Sequence, residues 1–248
     1  EVELRHRWWW SLDLSLSYSN MRGLEGMMFD MYDYPEKVHE MMELFTTGYL
    51  SKLDQLEAQG VLINNVGNCY IGSGGIGYTD ELQPEGPIAP DKLTTMDIWG
   101  FNEAQETSEI SPAMFSEFFI PYQIRLAERF GLNYYGCCEG LDKRLDDVLR
   151  IPRLRRVSVS MWADHVSMSE RLGDKYVYCR KPSPTDLAVP QLDEDHIRKD
   201  MNELLKLTKK NKNIVELDMK DNHTLGNNPE NLYRWVQIAR EEVAKVYG

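Results

Sequence analysis

The chain has 248 residues, of which 42% are hydrophobic, and this length and composition suit one large α/β domain with a substantial core. A formal net charge of -12 leaves no basic footprint for nucleic acid or an anionic membrane, so we expect a small-molecule partner. Four cysteines are too few to build a domain of this length from disulfides, and no apolar run is long enough to span a bilayer. We therefore expect a cytoplasmic protein.

The first part of the chain predicts a strand, a long helix, a second strand and a long loop. The Trp-rich opening at residues 1–10 is interpreted as a strand, and because the chain begins within this element we expect part of the fold to precede it. Pro35 starts a helix rich in Met and Leu, and residues 61–66 predict the second strand. Glycines and prolines at residues 72–90 predict a long loop that lacks the lysine of a phosphate-binding loop.

Strands and helices alternate in the rest of the chain. The predicted strands are 96–100, 132–137, 154–160, 175–179 and 213–218, and the predicted helices are 112–131, 141–149, 165–173, 193–211 and 228–246. Ser111 and Pro112 suit the N-cap and first turn of the first of these helices. Single helices between successive strands favour a parallel sheet with right-handed crossovers.

This alternation predicts one domain over residues 1–248, a parallel (βα)8 barrel of the TIM type. About six strands are predicted after the Trp-rich opening, where a closed barrel needs eight. We therefore expect the N-terminal part of the barrel to be missing from this chain.

Two strand ends carry the residues best suited to chemistry. One carries Cys137, Cys138 and Glu139, and the other carries Asp221 and His223. In a parallel barrel the carboxyl ends of the strands share one face, so we expect these residues to meet. Neighbours on a strand point to opposite faces, which predicts that only one of the two cysteines faces the site and that the other is structural.

Further polar and aromatic residues complete the predicted site. The polar loop after strand 96–100 carries Gln105 and Glu106, one of which we expect to face substrate. The residues to which we assign catalytic roles are Glu139, His223 and Gln105. The residues to which we assign substrate binding are Trp99, Glu106, Tyr135, His165 and Arg180. His165 has a competing interpretation, because Asp164 before it is a suitable helix N-cap.

Four segments resemble a known family. They are Met21-Arg-Gly-Leu-Glu-Gly-Met-Met-Phe-Asp30 with Tyr34-Pro35-Glu36, Ser111-Pro-Ala-Met-Phe-Ser-Glu-Phe-Phe-Ile-Pro-Tyr122, Tyr135-Gly-Cys-Cys-Glu139, and Asp221-Asn-His-Thr-Leu-Gly-Asn-Asn-Pro-Glu-Asn231. On these segments the chain resembles the C-terminal two-thirds of the uroporphyrinogen decarboxylase superfamily. This βα-barrel group also contains zinc- and corrinoid-dependent methyltransferases. The second segment is the most specific, since it resembles the family's Ser-Pro-x-x-Phe-x-Glu-Phe-x-x-Pro-Tyr helix.

The resemblance implies a zinc-assisted methyltransferase that exchanges a methyl group between a small substrate and a corrinoid (cobalamin) protein. The residues that it places around the zinc ion are Cys137, Cys138, Asp221 and His223. Tyr135 or Gly136 stands where methyltransferase members carry the histidine of a His-x-Cys motif, so one metal ligand is unassigned. Zinc in such a site activates a substrate thiol or ether.

Two other functions stay open. One is a uroporphyrinogen-type decarboxylase that acts on a carboxylated substrate without a metal, for which Arg180 and Lys181 offer cations at a strand end. The other is a non-catalytic homologue that binds substrate or docks a corrinoid protein. A zinc site, an arginine-rich pocket and a site that lacks three ligands distinguish the three functions. The sequence is also compatible with a homodimer.

Overall fold

Parallel strands organise the part of the chain described by the computed structural model, which is residues 12–82, 89 and 92–248. In this part the strands are β1 (Tyr70–Gly72), β2 (Gly75–Ile76), β3 (Trp99–Asn102), β4 (Leu132–Tyr135), β5 (Leu154–Val159), β6 (Val177–Arg180) and β7 (Ile214–Leu217). The first two form an antiparallel hairpin, and the other five form a parallel sheet in sequence order. The protein is α/β, and this sheet is compatible with part of a βα-barrel.

Helices precede the sheet and connect its strands. Over the described residues they are α1 (Leu14–Arg22), α2 (Leu24–Asp33), α3 (Pro35–Ala58), α4 (Pro112–Phe118), α5 (Ile120–Ala127), α6 (Leu145–Val148), α7 (His165–Leu172), α8 (Glu194–Lys210) and α9 (Glu230–Tyr247). Asp164 caps α7 by accepting hydrogen bonds from two backbone N–H groups, which confirms its predicted role. Within the described ranges, every helix is too short or too polar to cross a bilayer.

The strand ends confirm most of the predicted layout. The ends predicted near residues 100, 137, 160, 180 and 218 lie at one edge of the parallel sheet, which we call the carboxyl edge. The Trp-rich opening, and the prolines at positions 84, 87 and 90 of the predicted loop, lie outside the described residues.

The predicted strand 61–66 is wrong, because this segment forms only an isolated bridge at Leu62. The edge of β3 is instead covered by a side chain. Asn65 Nδ2 donates to the carbonyl oxygen of Trp99 at 2.9 Å, and the Trp99 backbone N–H donates to Asn65 Oδ1 at 2.9 Å. An amide side chain thus satisfies the backbone groups that a neighbouring strand would otherwise pair.

The predicted helix 112–131 is two helices, α4 and α5, that meet at Phe119. Pro121 lies in the first turn of α5. Proline has no backbone N–H and its ring clashes with the carbonyl four residues earlier, so a continuous helix is interrupted before it. The Ser111 cap predicted for the first helix is confirmed, since its side chain accepts from the Met114 N–H at 3.2 Å.

The two faces of the parallel sheet differ in what covers them. The helix face packs against α4 to α9, and its core includes Phe115, Phe118 and Tyr135. Each such buried side chain contributes about 1.5–3 kcal/mol to folding. The other face, which we call the inner face, is covered by the β1–β2 hairpin. A Cβ atom at Gly74 would lie 2.1 Å from Asp218 Oδ2, so glycine permits this close approach. The predicted glycine-rich loop therefore contains a packed hairpin.

Candidate active site

Loops at the carboxyl edge bring residues from distant parts of the chain together. Cys137 and Cys138 follow β4, and Lys220 and Asp221 follow β7. Cys138 Sγ lies 3.1 Å from Asp221 Oδ2, across 83 residues of sequence. The predicted meeting of these two strand ends is therefore confirmed for the cysteines and Asp221. We call this group the thiol site.

The two thiols lie side by side, with Cys137 Sγ and Cys138 Sγ 3.6 Å apart. Of the two, Cys138 lines the clefts described below, and which cysteine faces a substrate stays a prediction. Strand β4 ends at Tyr135, and Gly136 turns the chain with φ 94°. Both cysteines therefore lie in a loop, where the alternation of side chains along a strand does not apply.

Side chains hold the backbone of the cysteine pair on all sides. Glu139 accepts from the Cys137 N–H at 2.9 Å, and Gln105 accepts from the Cys138 N–H at 3.4 Å. The carbonyl oxygens are bound by the last residues of β5 and its loop, since Ser158 Oγ donates to Cys137 O at 2.8 Å and Ser160 Oγ donates to Cys138 O at 2.7 Å. This network holds the backbone of both cysteines in place.

A lysine gives the thiol site a positive charge. Lys220 Nζ lies 2.8 Å from Cys137 Sγ and 3.5 Å from Asp221 Oδ2. The hydrogen bond with Cys137 lowers the pKa of Cys138, against the opposing effects of burial and Asp221. The same thiol–thiol bond, together with burial, raises the pKa of Cys137. The pair therefore loses its first proton at a lower pH than an ordinary thiol and its second at a higher pH.

The turn of the hairpin closes the inner side of the thiol site. Ser73 O accepts hydrogen bonds from Lys181 Nζ and, at 3.3 Å, from the Tyr134 hydroxyl. Ser73 Oγ lies 3.2 Å from Lys220 Nζ, and Lys181 also pairs with Asp218. Both lysines are thus engaged by oxygen atoms of the protein.

Two clefts open beside Cys138. One has a volume of about 230 Å³ and also borders Lys220 and Asp221, and the other, of about 540 Å³, also borders Gln105 and Glu139. The Trp162 side chain lines both clefts and is 74% exposed. A small molecule in either cleft therefore reaches the Cys138 thiol and the indole ring.

The predicted residues of the β3 loop have different positions. Gln105 lines the larger cleft, as expected. Glu106 faces α1, where Ser15 Oγ donates to its carboxylate at 2.8 Å. Glu139 lines the same cleft but is only 4% exposed, and burial raises the pKa of its carboxyl group.

Three residues assigned to substrate binding lie on the helix face, which corrects those assignments. The Tyr135 hydroxyl donates to Gln123 of α5 at 2.9 Å. His165 Nδ1 lies 2.9 Å from the Tyr178 hydroxyl, and burial lowers the pKa of this histidine to about 4. Arg180 is buried, and its NH2 lies 3.5 Å from Asp200 of α8. The partners of the strand residues Tyr135 and Arg180, and of His165 at the start of α7, thus lie on the helix face.

Trp99 lies on the inner face, but it is the first residue of β3 and is therefore far from the carboxyl edge. Its ring is 2% exposed beneath the hairpin, and its Nε1 donates to Gly77 O at 3.2 Å. Arg156 lies over the same ring, with 5.1 Å between the guanidinium carbon and the ring centroid. The assignment of Trp99 to substrate binding is therefore corrected to a packing role.

His223 lies in the loop after β7, at the same edge of the sheet as the thiols. Its side chain is exposed, and its backbone N–H donates to Asp221 O at 2.9 Å. Over the described residues, no group of three or more His, Cys, Asp and Glu side chains is arranged to hold a metal ion. Catalytic zinc sites take three protein ligands. Zinc binding by Cys137, Cys138, Asp221 and His223 stays a prediction.

Sequence reasoning missed Lys220, Asp218 and Trp162. The two charged residues share a signal, because Glu216, Asp218 and Lys220 alternate with the apolar Val215, Leu217 and Met219. Glu216 lies in β7 and pairs with Arg156 on the inner face, and Asp218 and Lys220 continue the same pattern beyond the end of the strand. For Trp162 no local pattern distinguishes an exposed ring from a buried one.

Scans against models of protein families, curated proteins and solved structures found no match to this chain. The resemblance to the uroporphyrinogen decarboxylase superfamily therefore stays a prediction. The function is therefore inferred from the thiol site and the two clefts beside it.

Proposed function

We propose that this protein is a methyltransferase whose reaction centre is the thiol site, and that it moves a methyl group between a small substrate and a corrinoid protein. The observation that carries this proposal is the pair of thiols 3.6 Å apart, with Lys220 Nζ 2.8 Å from Cys137, beside two open clefts. The resemblance supplies the methyl group and the corrinoid partner. The partial βα-barrel that we propose for the sheet would place the site at the barrel mouth.

The chemistry follows from the soft nucleophile. Cys138 lines both clefts and has the lowered pKa of the pair, so its thiolate attacks the methyl carbon of the donor. The sulfur–carbon bond forms while the bond between the methyl carbon and the leaving atom breaks, and the leaving atom takes the electron pair. In the second half-reaction the acceptor attacks the same carbon, and the thiolate leaves with its electron pair.

Neighbouring residues support the thiolate in both half-reactions. Lys220 balances the negative charge whenever the pair is ionised. Glu139 and Gln105 hold the cysteine backbone in place, because their side chains accept hydrogen bonds from the N–H groups of Cys137 and Cys138. Corrinoid supplies a carrier for the methyl group when its protein docks at the carboxyl edge. The proposed mechanism uses the thiols and needs no zinc ligand from His223.

The test compares methyl transfer to cob(I)alamin from a panel of methylated thiols, ethers and amines. We expect Cys138→Ala to lower the rate by at least about 10³-fold, as removal of a nucleophile does in other enzymes. Cys69→Ala is the matched control, since Cys69 lies in the segment before the hairpin and its thiol faces Asn64 O at 3.9 Å. Wild-type activity in the folded Cys138→Ala protein would contradict the proposal.

The same experiment separates the other candidates. His223→Ala should leave methyl transfer unchanged under the thiol mechanism. If this variant loses both its activity and a zinc ion that the wild type binds, the zinc mechanism is favoured. Release of CO₂ from a carboxylated substrate that is insensitive to Cys138→Ala would favour a decarboxylase.

A further inference from the structure

We propose that the thiol site is also a site of reversible oxidation, at which a hydroperoxide oxidises Cys138 and Cys137 then forms a disulfide with it. The basis is the geometry of the pair. The two sulfur atoms are 3.6 Å apart, and Cys138 borders both open clefts. A peroxide that oxidises Cys138 therefore gives a sulfenic acid that lies close to the sulfur atom of Cys137.

The bonds and electrons of this reaction balance. The Cys138 thiolate attacks one peroxide oxygen, the sulfur–oxygen bond forms, the oxygen–oxygen bond breaks, and the released alkoxide or hydroxide takes a proton from water. The sulfur of Cys137 then attacks the sulfur of Cys138, which forms the disulfide and releases hydroxide, and this takes up the proton that Cys137 loses. In total, one hydroperoxide and two thiols give one disulfide, one alcohol or water, and one further water.

The charge of Lys220 favours the second step. Lys220 Nζ lies 2.8 Å from Cys137 Sγ, so a positive charge stabilises the thiolate of the second cysteine as it forms. Asp221 Oδ2 accepts a hydrogen bond from Cys138 Sγ at 3.1 Å, and this bond breaks as the Cys138 thiolate forms.

Chain geometry makes the product easy to reduce. Adjacent Cα atoms are about 3.8 Å apart across a trans peptide, which is shorter than the roughly 4.4–6.8 Å that disulfides prefer. A disulfide between neighbours is therefore strained, and strained disulfides are the labile ones. The four hydrogen bonds to the backbone of the pair add to this strain, since they hold the loop in its reduced geometry.

The experiment treats the reduced full chain with hydrogen peroxide and follows it by intact mass and peptide mapping. We expect the loss of two hydrogen atoms from the peptide that contains residues 137 and 138, and recovery of the original mass with reduced thioredoxin. Cys137→Ser should stop at a sulfenic acid on Cys138, which dimedone traps. Oxidation at Cys138 should be about tenfold faster than at Cys69, which lacks a lysine partner among its described contacts.

Three results would overturn the inference. They are oxidation of Cys69 as fast as that of Cys138, oxidation of the wild-type protein to sulfinic acid without a disulfide, and a disulfide that thioredoxin does not reduce. Cys69→Ser is the matched control and should oxidise like the wild type. These readouts are masses, so they stand or fall independently of methyl transfer.

Discussion

Replacing Lys220 by methionine tests the electrostatic basis of the thiol site. The substitution keeps an unbranched side chain and removes the charge that lies 2.8 Å from Cys137 Sγ. The Lys220 side chain is only 13% exposed, so solvent screens this contact weakly. An opposite charge within about 4–6 Å lowers an acidic pKa by about 1–3 units, and its removal should raise the apparent pKa of the reactive thiol by that amount.

This shift has a measurable effect on reactivity. At pH 7 a rise of about 1–3 units in pKa lowers the thiolate fraction, while the more basic thiolate attacks faster with a Brønsted slope of about 0.4–0.5. The net result is alkylation by iodoacetamide that is about 3- to 60-fold slower. The assay is the pH profile of alkylation at each cysteine, located by mass spectrometry.

The matched control for Lys220→Met is Lys143→Met. Lys143 is exposed and borders the larger cleft, so its replacement changes the net charge of the protein equally. We expect its alkylation profile to match the wild type. An unchanged profile in folded Lys220→Met, or an equal shift in both variants, would refute the assigned role of Lys220.

Two further predictions concern the fold around the site. Gly74→Ala should lower the free energy of unfolding by about 1–3 kcal/mol in denaturant titrations, because its Cβ atom would meet Asp218 Oδ2 at 2.1 Å and φ is 85°. Its control, Gly48→Ala in α3, should stabilise the protein by about 0.5–1 kcal/mol, since nothing lies within 4 Å of the added atom; equal stability of the two variants would contradict the docked hairpin. Burial lowers the pKa of His165 from 6.5 to about 4, so only the unfolded chain takes up this proton in that range, and stability should fall as pH drops from 6.5 to about 4. His165→Gln should reduce this pH dependence, and an unchanged slope in urea titrations would show that the histidine is not buried in its neutral form.

The sequence predicts the scaffold of the site well because the scaffold depends on local periodicity. Alternating strands and helices place the ends of β3 to β7 at one edge, and this places Cys138 near Asp221 without any local motif. The face of the sheet to which each side chain of a strand points is harder to predict from the sequence. Arg180 and Lys181 are neighbours at the end of β6, and the choice of Arg180 was wrong because it faces Asp200 of α8.

Other features of the site depend on contacts between distant residues, which periodicity does not encode. In the sequence the glycines of the hairpin suggest only a loop. In the structure Gly72 lies against Phe101 and Gly74 lies against Asp218, which leaves no room for a Cβ atom at either position. The two thiols approach each other in a loop that begins at Gly136, whose φ of 94° many glycines adopt in ordinary turns. Three-dimensional contacts select among conformations that the sequence leaves equivalent.

Ser73 contacts Lys181 and Lys220, which are synthesised well after it. Ser73 precedes these lysines by 108 and 147 residues. A ribosome adds about 5–20 residues per second, so the hairpin turn is made about 7–30 s before Lys220. A nascent or truncated chain that ends before β7 has its cysteines but lacks the lysine beside them. The lysine that lies beside the thiols is therefore added only after β7 has been made.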